Sequence, residues 1–145
     1  MEKYLAATHP PHIVALLYEA YLRLSDVVFQ AGKEIDPRIR PAHSAVFFHM
    51  EHDGIRLSKL AEKAQMTPQA MGELVDDLEK LGYLRRVPDP ADRRAKLIVF
   101  TDRGDDALRA GYAAIDDLER RLADLLGEDG RSGLHAALTR VINDF

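Results

Sequence analysis

The chain has 145 residues, 46% of them hydrophobic and 30% charged, a composition that suits one globular core and leaves no room for two large independent domains. With no cysteine it excludes disulfides, thiolate metal ligands and cysteine redox chemistry. The formal net charge of −4 lends no support of its own to nucleic-acid binding. Ten basic and nine acidic residues between Asp53 and Gly104 make that stretch net +1 and leave −5 for the rest. Any affinity for DNA must therefore come from where the arginines sit. No apolar run approaches the roughly 20 residues of a membrane span, and the start MEKYLAATHPPH lacks the basic n-region and apolar core of a signal peptide. A cytoplasmic location and no membrane partner are expected.

Residues 1–9 read as a lead-in without periodic signal. After Pro10-Pro11, apolar residues from Ile13 through Leu17, Tyr21 and Leu24 to Val28 recur at steps of three and four, which predicts a helix ending at about Gly32. Pro41 opens a second helix with Val46, Phe47 and Met50 inward and Asp53-Gly54 as its stop. A short third helix, Leu57 to Ala64, leads through the turn Gln65-Met66 to Thr67. Thr67 suits an N-cap and Pro68 the first helical position of a fourth helix that reaches Leu81 before Gly82. Two helices joined so closely form a helix-turn-helix. Leu84 to Val87 and Lys96 to Phe100 read as strands, and PDPADRR between them is all turn chemistry. Thr101 then caps a long helix that Gly127 and Gly130 break, and a last amphipathic helix ends the chain. The outer helices are too apolar on one face to stand alone in water, so residues 10–33 and 105–145 are expected to form a dimerisation region.

Leu60-Ala61, Met66-Thr67, the run Leu74-Val75 to Leu78-Glu79-Lys80-Leu81-Gly82-Tyr83, and above all Asp92, Arg94, Thr101 and Gly104 in a D-x-R, strand, T-x-x-G arrangement carry a family resemblance. Over nearly its whole length the chain resembles MarR-type transcriptional regulators. The resemblance implies a homodimeric winged-helix repressor whose DNA affinity a small ligand alters. In such a fold the first turns of the recognition helix read base edges, here Thr67, Pro68, Gln69, Gly72 and Glu73. Gln69 suits a bidentate contact to adenine; its alternative is a solvated helix residue. On the hairpin, Arg94 takes the family's tip position with Asp92 beside it, and an arginine there can enter a narrow minor groove. The alternative is a turn-stabilising ion pair in solvent. Arg93, Arg85, Arg86, Lys96, Arg56 and Lys59 are candidate phosphate contacts. Two departures from the family pattern stand out: Gly72-Glu73 replaces a hydroxyl residue followed by arginine, and Asp76, Asp77 and Glu79 make the recognition helix acidic. In the docked geometry these three acids are expected to lie toward the far end of the helix, away from phosphates.

The relatives imply a ligand pocket, for which His12, Tyr18, Arg40, His43 and Phe47 are candidates by position. An arginine and a histidine near aromatics would suit a small aromatic or anionic effector; a packed core without a pocket is the competing possibility. His49 and His52 are three apart and could share a helix face, a weak zinc hint without further ligands. No metal or other cofactor is expected. No P-loop, G-x-S-x-G, H-E-x-x-H or glycine-rich dinucleotide turn is present, and adjacent acids such as Asp76-Asp77 point apart on a helix, so no enzyme is read from the chain.

These readings combine into a mostly α fold with a small β-hairpin wing. A winged helix-turn-helix domain, residues 41–104, is flanked by dimerisation helices in residues 1–40 and 105–145. The expected function is a homodimeric, sequence-specific DNA-binding regulator on a pseudo-palindromic site. The rival is a winged-helix dimer that binds ligands or proteins and DNA only weakly. A small-molecule enzyme built on the dimer interface is a remote third.

Overall fold

The computed structural model describes residues 10–145, so the expected lead-in over residues 1–9 lies outside the described chain. Two compact units divide these residues: 29–112 form one, and 10–28 with 113–145 the other. The first helix, α1 (Ile13–Ile35), begins behind His12, whose Nδ1 accepts the Ala15 N–H at 3.2 Å. Gly32 does not stop it, contrary to expectation. Its carbonyl still accepts the Asp36 N–H at 3.0 Å, and the helix ends only before Asp36-Pro37, where the proline disfavours a helical residue in front of it.

In the unit 29–112, Pro41–His43 form a 3₁₀ turn running into α2 (Ser44–His49). This helix is shorter than the sequence suggests, because Met50 is already extended at φ −63° and ψ 148°. The chain must straighten early to bring Ile55 beside Ile98. There the two exchange N–H···O bonds of 3.1 and 2.8 Å, a third-strand contact that periodicity over so few residues does not reveal. Gly54 is needed in that approach: its φ is +94°, and a Cβ there would lie 2.7 Å from Val99 Cγ1.

Helices α3 (Leu57–Lys63) and α4 (Pro68–Lys80) follow as expected, then β1 (Leu84–Asp89) and β2 (Asp92–Phe100) in an antiparallel pair with Leu84 opposite Phe100. The core of this unit lies between them and α2, with Val46, Leu60, Ala61, Met71, Val75 and Leu78 fully buried. Phe47 on α2 and Met50 just past its end pack half-buried against it. The hairpin departs from expectation. Most of PDPADRR is strand, and only Pro90-Ala91 turns. The nearly buried Asp89 makes so short a turn possible, because its carboxylate accepts the Ala91 N–H at 2.8 Å and closes the loop locally. The pairing register shifts between Pro88 and Asp89, beside the residue that lacks an N–H.

Helix α5 (Asp102–Leu126) starts on Thr101, whose Oγ1 accepts the Gly104 N–H at 3.1 Å, with Asp102 and Asp105 in its positive first turn. Gly127, at φ +74°, separates it from α6 (Glu128–Asp144). Gly130 does not break the chain again; it lies inside α6. In the unit made of 10–28 and 113–145, Arg131 on α6 reaches Glu119 on α5 at 3.0 Å. The apolar faces of this unit are largely uncovered: Ile13 is 72%, Leu125 78% and Ile142 80% exposed. Among the described residues no helix is long and apolar enough to cross a membrane.

Candidate nucleic-acid interface

The helix-turn-helix is held by two helix endings of the same kind. At the end of α3, Gln65 takes φ +53°, its N–H bonds Glu62 O at 3.1 Å, and the Met66 N–H reaches back to Ala61 O at 2.9 Å. That left-handed residue turns the chain sharply enough for Thr67 to cap α4 immediately, accepting the Ala70 N–H at 3.2 Å on its side chain. At the far end Gly82, at φ +85°, repeats the arrangement, with the Tyr83 N–H on Leu78 O at 2.9 Å. Both turns therefore bury their apolar faces while leaving Thr67, Pro68, Gln69 and Glu73 in solvent. Gly72 is half-buried, and a side chain there would first meet Leu57 Cδ2 at 3.6 Å. Gln69, Glu73 and Asp76 recur at steps of four and three, so they share one face of α4.

On the wing, Arg94 is 92% exposed, and Asp92 Oδ1 accepts its backbone N–H at 3.1 Å and its Nε at 3.2 Å. The brace between these residues is present, with the rest of the guanidinium turned to solvent. Arg93, Arg85 and Lys96 are exposed as well. Other candidate cations are engaged. Arg56 gives Asp89 a hydrogen bond of 2.7 Å from Nε and an ion-pair contact of 2.7 Å from a terminal nitrogen, so it ties the start of α3 to the hairpin turn. The Ala91 N–H and this guanidinium hold the Asp89 carboxyl below its ordinary range. Lys59 meets Glu62 at 3.0 Å on the surface of α3.

Sequence periodicity misses what happens to the acids of α4. Arg86 on β1 reaches Asp76 at 2.8 Å and also hydrogen-bonds Glu79. Arg40 hydrogen-bonds Asp77 from the segment before α2. All three acids thus face an arginine contributed by another element. Beside Arg40, the buried His43 accepts the Arg40 N–H on Nδ1 at 3.0 Å, and its Nε2 lies 3.6 Å from Asp77, without a hydrogen-bond partner. Burial pushes the imidazole below its ordinary pKa, against the pull of the Asp77 carboxylate. A second network in the same unit surrounds the buried Asp36. Arg38 binds it through two nitrogens at 2.9 Å, Tyr83 donates its hydroxyl at 2.9 Å, and Arg103 adds a bond of 3.1 Å. Arg38 above all holds this carboxyl far below the usual range. Four residues scattered over nearly seventy positions meet there, which no local spacing announces.

Of the proposed ligand residues, His12 and Tyr18 are exposed in one unit, and Arg40, His43 and Phe47 belong to the other. Arg40 and His43 meet at Asp77, while Phe47 stacks on Phe100 at 6.0 Å and meets Tyr83 edge-on at 6.3 Å. His49 and His52 do not share a helix face, because α2 ends at His49 and His52 lies in the turn that follows. Among the described residues no three metal-binding side chains converge.

Residues 50–96, from the end of α2 through the wing tip, match the model of the MarR family. A curated relative, the transcriptional regulator HosA of Escherichia coli O111:H-, is 28% identical over 97 residues, covering 66% of this chain and 72% of its own. Among solved structures the chain is similar to the transcriptional repressor CouR bound to a 23-mer DNA duplex, at TM-score 0.73 and 24% identity over 91% of this chain and 93% of that one. It is also similar to the PcaV transcriptional regulator of Streptomyces coelicolor in complex with its natural ligand, at TM-score 0.65 and 23% identity over 97% and 95%. At those identities the two structures speak for the fold.

Proposed function

We propose that the chain, with a MarR family match over residues 50–96 and the winged-helix fold along its length, is a MarR-type DNA-binding transcriptional regulator that works as a homodimeric repressor released from DNA by a small molecule. Each α4 would enter a major groove with Thr67, Pro68, Gln69, Gly72 and Glu73 leading, and each wing would place Arg94 in the adjoining minor groove. The single observation that carries this reading is Arg94: 92% exposed, in β2 just beyond the two-residue hairpin turn, with its backbone and Nε oriented by Asp92. An arginine serving only to stabilise the turn would gain less than about 1 kcal/mol there. The uncovered apolar faces of the unit 10–28 with 113–145 support a partner of the same kind. Two-fold symmetry then implies half-sites about 10 base pairs apart, or a multiple of that.

CouR was solved on DNA and PcaV with a ligand, and both activities carry over to this chain as part of the proposal. A small aromatic or anionic effector is the class that Arg40 and His43 would suit. Because Arg40 also holds Asp77 of α4, an anion recruiting Arg40 would loosen the recognition helix. The test is binding to duplex DNA flanking the chain's own gene, at two salt concentrations, for the native protein and Arg94→Ala. The expected native Kd is about 10⁻⁸ M or tighter near physiological salt. Arg94→Ala should weaken it about tenfold or more, in keeping with the ~1–3 kcal/mol of a specific arginine contact. Native binding no tighter than to random duplex would instead leave a ligand- or protein-binding winged helix.

A further inference from the structure

Asp76 shares one exposed side of α4 with Gln69 and Glu73, the side that would face the groove, and lies seven residues beyond Gln69. At 1.5 Å per residue that places it roughly 10 Å along the helix from the base-reading end. That is little more than one Debye length, about 8 Å at physiological salt, so a free carboxylate there would still feel part of the charge of a bound duplex even at the far end of the helix. Glu79, one turn further, adds a second negative charge. A recognition helix with this pattern should repel its own target. Arg86 resolves the conflict: from β1 it bonds Asp76 at 2.8 Å and Glu79 with its other terminal nitrogen. Half-buried against the wing, it draws both carboxylates toward the hairpin.

We propose that Arg86 is a positioning residue for DNA recognition, holding Asp76 and Glu79 out of the groove, and not itself a phosphate contact. The proposal rests on the DNA-binding function inferred above. It also assigns the acids a role. By fixing Arg86 they join the recognition helix to the wing, so that the two reading elements move as one piece.

The experiment is a cycle on the intact protein, measured on the flanking-gene duplex across a salt series, with thermal midpoints recorded for every variant. Arg86→Gln should weaken specific binding about tenfold, since two carboxylates are released at once. Adding Asp76→Asn and Glu79→Gln to Arg86→Gln should restore affinity to within about threefold of native, while the same two changes beside an intact Arg86 alter it far less. Such non-additivity marks residues acting through one another. Three results would overturn the proposal. Arg86→Gln could bind as tightly as native. The triple variant could stay as weak as Arg86→Gln, with the log–log salt slope reduced by about one, which is the signature of a lost phosphate contact. Or affinity could follow a loss of thermal stability that the triple variant shares. Failure of the native protein to bind specific DNA would mark the underlying function as wrong, a result separate from all three.

Discussion

Gly104 shows how much a single residue can explain. The first turn of α5 presses so closely on the start of β1 that a Cβ at Gly104 would lie 2.1 Å from Tyr83 O and 2.9 Å from Phe100 Cδ1. Thr101, three residues earlier, caps α5 and also gives its hydroxyl hydrogen to Gly82 O at 2.5 Å. The spacing T-x-x-G in the sequence is thus one joint, in which a cap and a close approach fasten α5 to the end of α4. Asp36 is the opposite case, a buried acid that no spacing predicted. Its pKa is held below the ordinary value in the folded protein, chiefly by Arg38. The stability it contributes is therefore complete above the unfolded carboxylate's pKa and is lost as pH falls. Asp36→Asn should cost about 1–3 kcal/mol at neutral pH by leaving its donors without the charged acceptor. Denaturant titrations should also show a smaller loss of stability below about pH 4 in Asp36→Asn than in the native protein. Parallel pH curves for the two would remove Asp36 from this role.

At the scale of elements, α4 depends on its first residue. The Thr67 side chain caps it by accepting the Ala70 N–H, and Thr67→Ala should lower unfolding free energy by about 1 kcal/mol in urea titrations. A cost below a few tenths would mean that packing of Met71, Leu74 and Val75 alone sets the start of the helix. Caps and punctuation made the third and fourth helices legible in the sequence: Thr67, Pro68 and Gly82 are strong signals acting over two or three residues. The same signals misled at Gly32 and Gly130, where helices continue because glycine only weakens a helix that other bonds sustain. The hairpin was legible as a pair of strands but not in its length. Pro88-Asp89-Pro90 is turn chemistry by composition, yet the Asp89 side chain confines the turn to two residues and lets pairing resume. The candidate DNA-reading residues followed from motif positions. What neutralises the acids of α4 was hidden, because Arg40 and Arg86 come from other elements and meet α4 only on folding.

At the scale of the whole molecule, many apolar side chains of the terminal helices are uncovered. If a second copy covers them, folding and assembly are linked by mass action. The native protein should sediment as a dimer at micromolar concentration, with a thermal midpoint that rises with protein concentration. Ile142→Asp, placing a charge on one of the most exposed of these residues, should shift it toward monomer and lower that midpoint. A native protein that sediments as a monomer and melts independently of concentration would defeat the dimer.

The many arginines bound to carboxylates of the same chain also bear on how a regulator finds its operator. Genomic DNA attracts any protein with free cations, whatever its sequence. Here Arg38, Arg40, Arg56, Arg86 and Arg103 all hold internal acids, in a chain of net charge −4. For a protein acting as proposed, weaker attraction to bulk DNA would leave more copies unbound between encounters. A small number of molecules per cell could then keep an operator occupied, and copies released by the proposed effector would not be recaptured by neighbouring sequence.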